Sequence, residues 1–121
     1  MVWKAEIKRA RPPQLSAEIE PVFDVPGHPS YPSGHSTQAH LIAYVLTAVH
    51  PSGKDPQWSR AVERFAGEVA RNREVAGVHY PTDSKAGVAL AKALAPILLD
   101  GRACPTFAKL LDDARAEWKK R

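Results

Sequence analysis

Two short runs in this 121-residue chain hold residue types that can do chemistry together. The first is Tyr31-Pro32-Ser33-Gly34-His35, which sets a hydroxyl, a glycine and an imidazole in succession just ahead of an apolar helical stretch, Leu41 to Val49. Backbone N–H groups at a helix start lack intrahelical partners and carry the positive end of the dipole, and glycine lets a ligand come close to the backbone. The run is an anion site in outline, with phosphate as the first candidate. The second run is Arg73 followed by His79-Tyr80-Pro81-Thr82-Asp83. A carboxylate four positions after His79 can orient one ring nitrogen and leave the other free. A purely structural His–Asp pair would have the same spacing, so the second run gains meaning only beside the first.

Those runs need a scaffold, and length and composition bound it. With 44% hydrophobic residues the chain is one domain's worth, residues 1–121, large enough for a single core. The net charge of +4 suits anionic ligands, but the basic residues are scattered and not gathered with aromatics into a groove, which argues against a nucleic-acid partner. The one cysteine, Cys104, excludes an intrachain disulfide framework and reads as a small buried apolar group. No apolar run approaches the ~18–20 residues that span a bilayer. Met1-Val2-Trp3-Lys4-Ala5-Glu6 lacks the apolar segment of a signal peptide, so a soluble chain is expected, in a compartment the residues leave open.

In chain order, Lys4, Lys8, Arg9 and Arg11 fall at spacings that a short helix or an extended arm satisfies, and read as a solvated charged face. Pro12, Pro13, Pro21, Pro26, Pro29 and Pro32 then argue against regular helix or central strand. A stiff loop forming one wall of a site is the expectation. Ser36 to about His50 carries Leu41, Ile42, Val45, Leu46 and Val49 at helical spacing and reads as core-facing, ended by Pro51-Ser52-Gly53. Asp55-Pro56 reads as an N-cap with proline at the first helical position, ahead of an apolar stripe of Ala61, Val62, Phe65, Ala66, Val69 and Ala70 that Arg73 extends. Ser84 to Leu99 is a third helix, with Pro96 a kink, and Pro105 opens an amphipathic fourth in which Phe107, Leu110, Leu111, Ala114 and Trp118 share a face. No strand alternation or internal repeat appears. The expected architecture is therefore all-α, four main helices with the Pro12–Pro32 loop across their ends and the site at the start of the Ser36 helix. His28, His40 and His50 read as exposed or capping groups.

The basic residues link the two runs. Lys4 is followed after six residues by Arg11-Pro12, then by Pro32-Ser33-Gly34-His35, then by Arg73 with five residues before His79 and three more before Asp83. This order resembles the three-part signature of the type 2 phosphatidic acid phosphatase superfamily, which includes bacterial nonspecific acid phosphatases, lipid phosphatases and vanadium-dependent haloperoxidases. The resemblance covers roughly residues 4 to 87. It departs from the family pattern at Asn72, where a serine usually precedes the arginine, and in placing Lys4 almost at the N-terminus, where the family normally has several helices. The chain looks like the C-terminal catalytic core of such a protein, a helical bundle truncated at its N-terminus. Apolar faces left uncovered by such a truncation imply association with another copy.

The resemblance implies a division of roles. Lys4, Arg11 and Arg73 would bind phosphate together with the Ser33 hydroxyl and the Gly34 N–H. His79 would attack phosphorus, Asp83 would hold its other nitrogen, and His35 would protonate the leaving alkoxide and then activate water. A phosphorylated small molecule would be the substrate, with no metal and no cofactor required; the carboxylates are also not clustered with histidines at metal-ligand spacing. The alternative within the superfamily is a vanadium-dependent haloperoxidase, with vanadate as cofactor in the phosphate position. The run Gly27-His28-Pro29-Ser30 before Tyr31 resembles the bromide-oxidising enzymes, whereas Val78-His79-Tyr80-Pro81-Thr82-Asp83 looks more like the phosphatases, which are often periplasmic. A non-catalytic fragment that keeps the site residues is a third reading.

Overall fold

The computed structural model describes residues 2–119, and every regular element among them is helical. Two short helices, α1 (Val2–Ile7) and α2 (Pro12–Leu15), precede four long ones: α3 (Gly34–Val49), α4 (Pro56–Val75), α5 (Pro81–Leu99) and α6 (Pro105–Lys119). A single 3-10 turn, Pro51–Lys54, joins α3 to α4. The four-helix expectation holds, with helix starts two to three residues earlier for α3 and α5 than the apolar periodicity suggests. Polar caps explain the shift. The Ser33 hydroxyl accepts from the Ser36 N–H at 3.3 Å, and proline occupies the first helical position of α5. At the other junction His50 Nδ1 accepts from the Ser52 N–H at 3.1 Å, and the imidazole stacks on Trp58, so His50 is a cap as its surroundings suggest.

The proline-rich segment is not wholly irregular. One helical turn, α2, forms at Pro12–Leu15 because proline suits a first turn and the Arg11 backbone N–H donates to the Gln14 side chain at 2.7 Å. Its remainder, up to Ser33, lacks regular structure.

Core packing departs most from the sequence expectation. α3 packs chiefly on α5 and α4, but Ile42 is 58% exposed and the buried positions of α3 are Ser36, His40, Ala43 and Val49. On α5 the buried face is Asp83, Ser84, Gly87, Ala91 and Ala95, and on α4 it is Ala66 and Ala70, with Phe65 exposed. The buried positions are mostly small side chains, while large ones such as Ile42 and Phe65 lie on outer faces. His40, expected to be exposed or to cap, is buried within α3, with Nδ1 at 2.8 Å from the Ser36 carbonyl.

Two bonds join the starts of α3 and α5. The Ser36 hydroxyl donates to the Ser84 carbonyl at 2.8 Å, and the Ser33 N–H donates to the Asp83 carbonyl at 3.0 Å. A methyl group at Gly87 would lie 2.7 Å from Ser36 Cβ and 2.8 Å from the Ser33 carbonyl oxygen, so glycine is what permits this approach.

Candidate active site

The chain leaves α4 through Gly77, whose φ of +74° suits glycine, and passes directly into Val78-His79 and the start of α5. Asp83 lies in the first turn of α5 and is fully buried. Its Oδ2 accepts from the Tyr80 backbone N–H at 3.0 Å and lies 3.1 Å from His79 Nδ1. On the other side of the imidazole, Arg11 Nη1 is 3.3 Å from His79 Nε2. A guanidinium can only donate. Nε2 therefore presents a lone pair, and Nδ1 carries the proton given to Asp83. Burial alone would raise the Asp83 carboxyl, but the hydrogen bonds from His79 and from the Tyr80 backbone, with Arg9 alongside, outweigh it and hold the carboxyl below its usual range.

Arg11 is 1% exposed yet has no carboxylate partner among its hydrogen bonds. It donates to the carbonyls of His28 at 3.0 Å and Val78 at 2.7 Å, and to His28 Nδ1 at 3.2 Å. Lys4, also buried, donates to the carbonyls of Pro29 at 2.6 Å and Ser30 at 3.1 Å. Neutral acceptors thus fix both cations without neutralising them. Burial pushes both below their usual values, and the neighbouring cation adds to it, Arg11 acting on Lys4 and Arg73 on Arg11. Arg73 sits near the end of α4 with its guanidinium carbon 4.6 Å from the centre of the Phe23 ring, and its Nε is buried with no acceptor among the described residues.

These groups surround one cleft of about 120 Å³, whose lining includes Lys4, Arg11, Arg73, His35, His79 and Gly34. The start of α3 faces it. Of the first four N–H groups of that helix, those of Ser36 and Thr37 are taken up by Ser33, which leaves those of Gly34 and His35 without an intrahelical acceptor. His35 keeps much of its surface exposed, and the partial burial of its ring, then the nearby Arg73, His79 and Arg11, lower its proton affinity. The geometry offers a lone pair on His79, a second imidazole, and cations and N–H donors for an anion between them. No three His, Cys, Asp or Glu side chains gather as metal ligands among the described residues.

Of the residues the sequence singles out, the cleft brings together Lys4, Arg11, Gly34, His35, Arg73 and His79, with Asp83 directly behind His79. Ser33 lies elsewhere: its hydroxyl caps α3, and it is fully buried and does not line the cleft. Sequence reasoning gave no role to Gln38 or Arg9, and gave His28 one only in the haloperoxidase alternative. His28 is exposed, as its setting suggests, and it also lines the cleft and braces Arg11, while Gln38 lines the cleft one turn after Gly34. Arg9 donates to Asp83 Oδ1 at 2.8 Å. Helical spacing could have found Gln38, since it lies four positions after Gly34 on the same face. Nothing local marks Arg9, whose partner is 74 positions away.

No helix among the described residues is long and apolar enough to cross a membrane. A search of curated proteins finds no significant relative of the chain. The family model of the PAP2 superfamily matches residues 1–103, a span that takes in α1 to α5 and every side chain of the cleft, and the chain belongs to that superfamily.

Proposed function

We propose that the chain is a phosphatase that hydrolyses phosphomonoesters through a phosphohistidine on His79. Membership of the PAP2 superfamily supports phosphatase-type activity in general. The observation that carries the finer reading is the lining of the cleft: Lys4, Arg11 and Arg73 with three imidazoles, and no carboxylate. A phosphate dianion would give the uncapped N–H groups of α3 and the unpartnered Arg73 Nε their acceptors.

In the first step the Nε2 lone pair attacks phosphorus, an N–P bond forms, and the ester P–O bond opposite breaks. The leaving alkoxide takes its proton from His35. Lys4, Arg11, Arg73 and the helix N–H groups hold the equatorial oxygens, and the Asp83 carboxylate stabilises the ring as it becomes positive. In the second step neutral His35 takes a proton from water, the resulting hydroxide attacks phosphorus, and the N–P bond breaks to return the lone pair to His79. An incoming dianion offsets the cations that suppress protonation of His35. Substrate therefore promotes the acid form that the first step needs.

One observation favours a second reading, a vanadium-dependent haloperoxidase: His28 lines the cleft and meets Arg11. The same cations and His79 Nε2 would hold vanadate, which would supply peroxide activation for halide oxidation. Assays on one preparation separate the readings. The phosphatase reading expects release of phosphate from aryl phosphates, with vanadate a competitive inhibitor that mimics the transition state. Protein inert toward aryl phosphates that oxidises bromide with peroxide once vanadate is added would replace that reading with the second. Phosphate binding without either activity would leave a non-catalytic fragment.

A further inference from the structure

Arg9 touches the reaction machinery without touching the cleft. It does not line the cleft, yet its Nη1 donates to Asp83 Oδ1 at 2.8 Å and to Thr82 Oγ1 at 2.6 Å. Its guanidinium carbon lies 4.1 Å from the centre of the Tyr80 ring. One side chain thus grips three residues at the start of α5. The grip is held from behind, because the Arg9 carbonyl accepts from the Ser30 N–H at 3.0 Å and from the Ser30 hydroxyl at 3.3 Å, and Ser30 is fully buried.

The consequence follows from how the Asp83 carboxylate is shared. Oδ2 already serves the His79 Nδ1–H and the Tyr80 N–H. With Oδ1 unheld, the carboxylate could turn about its Cβ–Cγ bond and carry Oδ2 away from the imidazole. Arg9 fixes Oδ1, and so fixes the carboxylate plane. It also opposes transfer of the Nδ1 proton to Asp83, since a protonated carboxyl would weaken the ion pair with Arg9. We propose that Arg9 is a positioning residue that locks the Asp83 carboxylate and, through it, the aim of His79 Nε2 for in-line attack. The proposal rests on the phosphatase reading.

The test compares the full chain with Arg9→Met and Arg9→Lys. The methionine variant keeps an unbranched side chain and removes the charge. Its kcat toward nitrophenyl phosphate should fall about 10–100-fold, by analogy with the loss of partners that orient metal-ligating imidazoles and carboxylates. KM and inhibition by inorganic phosphate should hardly change, because Arg9 does not reach the cleft. Arg9→Lys should recover part of kcat, since an ammonium can meet Oδ1 but lacks the planar fork. Nitrogen NMR of the His79 ring gives a readout independent of turnover: the Nδ1–H tautomer of the parent should become mixed in Arg9→Met. Wild-type kcat with an unchanged tautomer would overturn the proposal, and so would a loss of phosphate affinity equal to the loss of kcat, or no rescue by lysine. If Arg9→Met does not fold, Arg9→Gln takes its place against Arg9→Lys. A parent chain without phosphatase activity would sink the phosphatase reading instead, and the ring tautomer would then decide the role of Arg9 alone.

Discussion

Two helix starts meet at the cleft, and they are finished in opposite ways. At α5 the helix supplies its own anion: Asp83 in the first turn accepts from the Tyr80 N–H, so the carboxylate satisfies one orphan donor while it orients His79. At α3 the cap is a neutral hydroxyl, Ser33, and the N–H groups of Gly34 and His35 stay open toward the cleft. The same unsatisfied backbone ends can therefore be closed to orient an imidazole or left open, where an anion would find donors. Where the carboxylate is placed decides which. A carboxylate at the start of α3 would repel the phosphate dianion that the proposed function places among the cations of the cleft.

The strongest way to break this contrast is to empty the closed end. His79→Ala leaves the open end intact, so inorganic phosphate should still bind, while phosphomonoester turnover should fall on the order of 10⁴–10⁶-fold, the range seen when a nucleophile is removed from such a catalytic unit. Isothermal titration with phosphate beside a colorimetric assay reads both; retained turnover would remove His79 as nucleophile. At the open end, His35→Ala should lower kcat by ~10²–10⁴-fold for alkyl phosphates, the usual worth of general acid catalysis. The loss should shrink for nitrophenyl phosphate, whose leaving group needs little help. An equal loss for both substrates would show that His35 does not serve as the acid.

The smallest expected effect sharpens the comparison by pH. In the unliganded chain the ring of His35 is held below its ordinary 6.5 by partial burial and by Arg73, His79 and Arg11, so at any given pH less of its acid form is present than for a free imidazole. The sign follows: kcat/KM, which reports the free enzyme, should climb as pH falls from neutral through the lowered His35 pKa. Bound vanadate offsets the cations and should move the His35 titration upward in proton NMR. A titration that stays in place on binding would separate His35 from the anion site.

Much of the cleft was legible in the sequence because each motif brings its own local punctuation: serine, glycine and histidine at a helix start, or a carboxylate four positions after a histidine. Ser33 shows the limit of that reading. A hydroxyl beside a glycine fits both an anion cradle and an N-cap, and the structure uses it as the cap. Arg9 was hidden for another reason, since its meaning lies in a carboxylate that only folding brings near. The core misled in a third way. Leu41, Ile42, Leu46 and Phe65 mark helical periodicity, but the buried positions of α3 and α5 are, Val49 apart, small or polar, so the size of an apolar side chain did not reveal the direction of burial.

Gly87 gives that small-residue packing its sharpest consequence. The missing methyl group lets α5 lie against Ser33 and Ser36, the residues that finish the open start of α3. A side chain there would act as a wedge between the two helix starts, and overpacking of this kind costs about 1–3 kcal/mol where neighbours must move. The wedge would fall on the spacing between the starts of α3 and α5, one helical turn from the buried Asp83. A substitution at this one position would therefore alter the distance between the His79–Asp83 pair and the start of α3 without touching a side chain of the cleft.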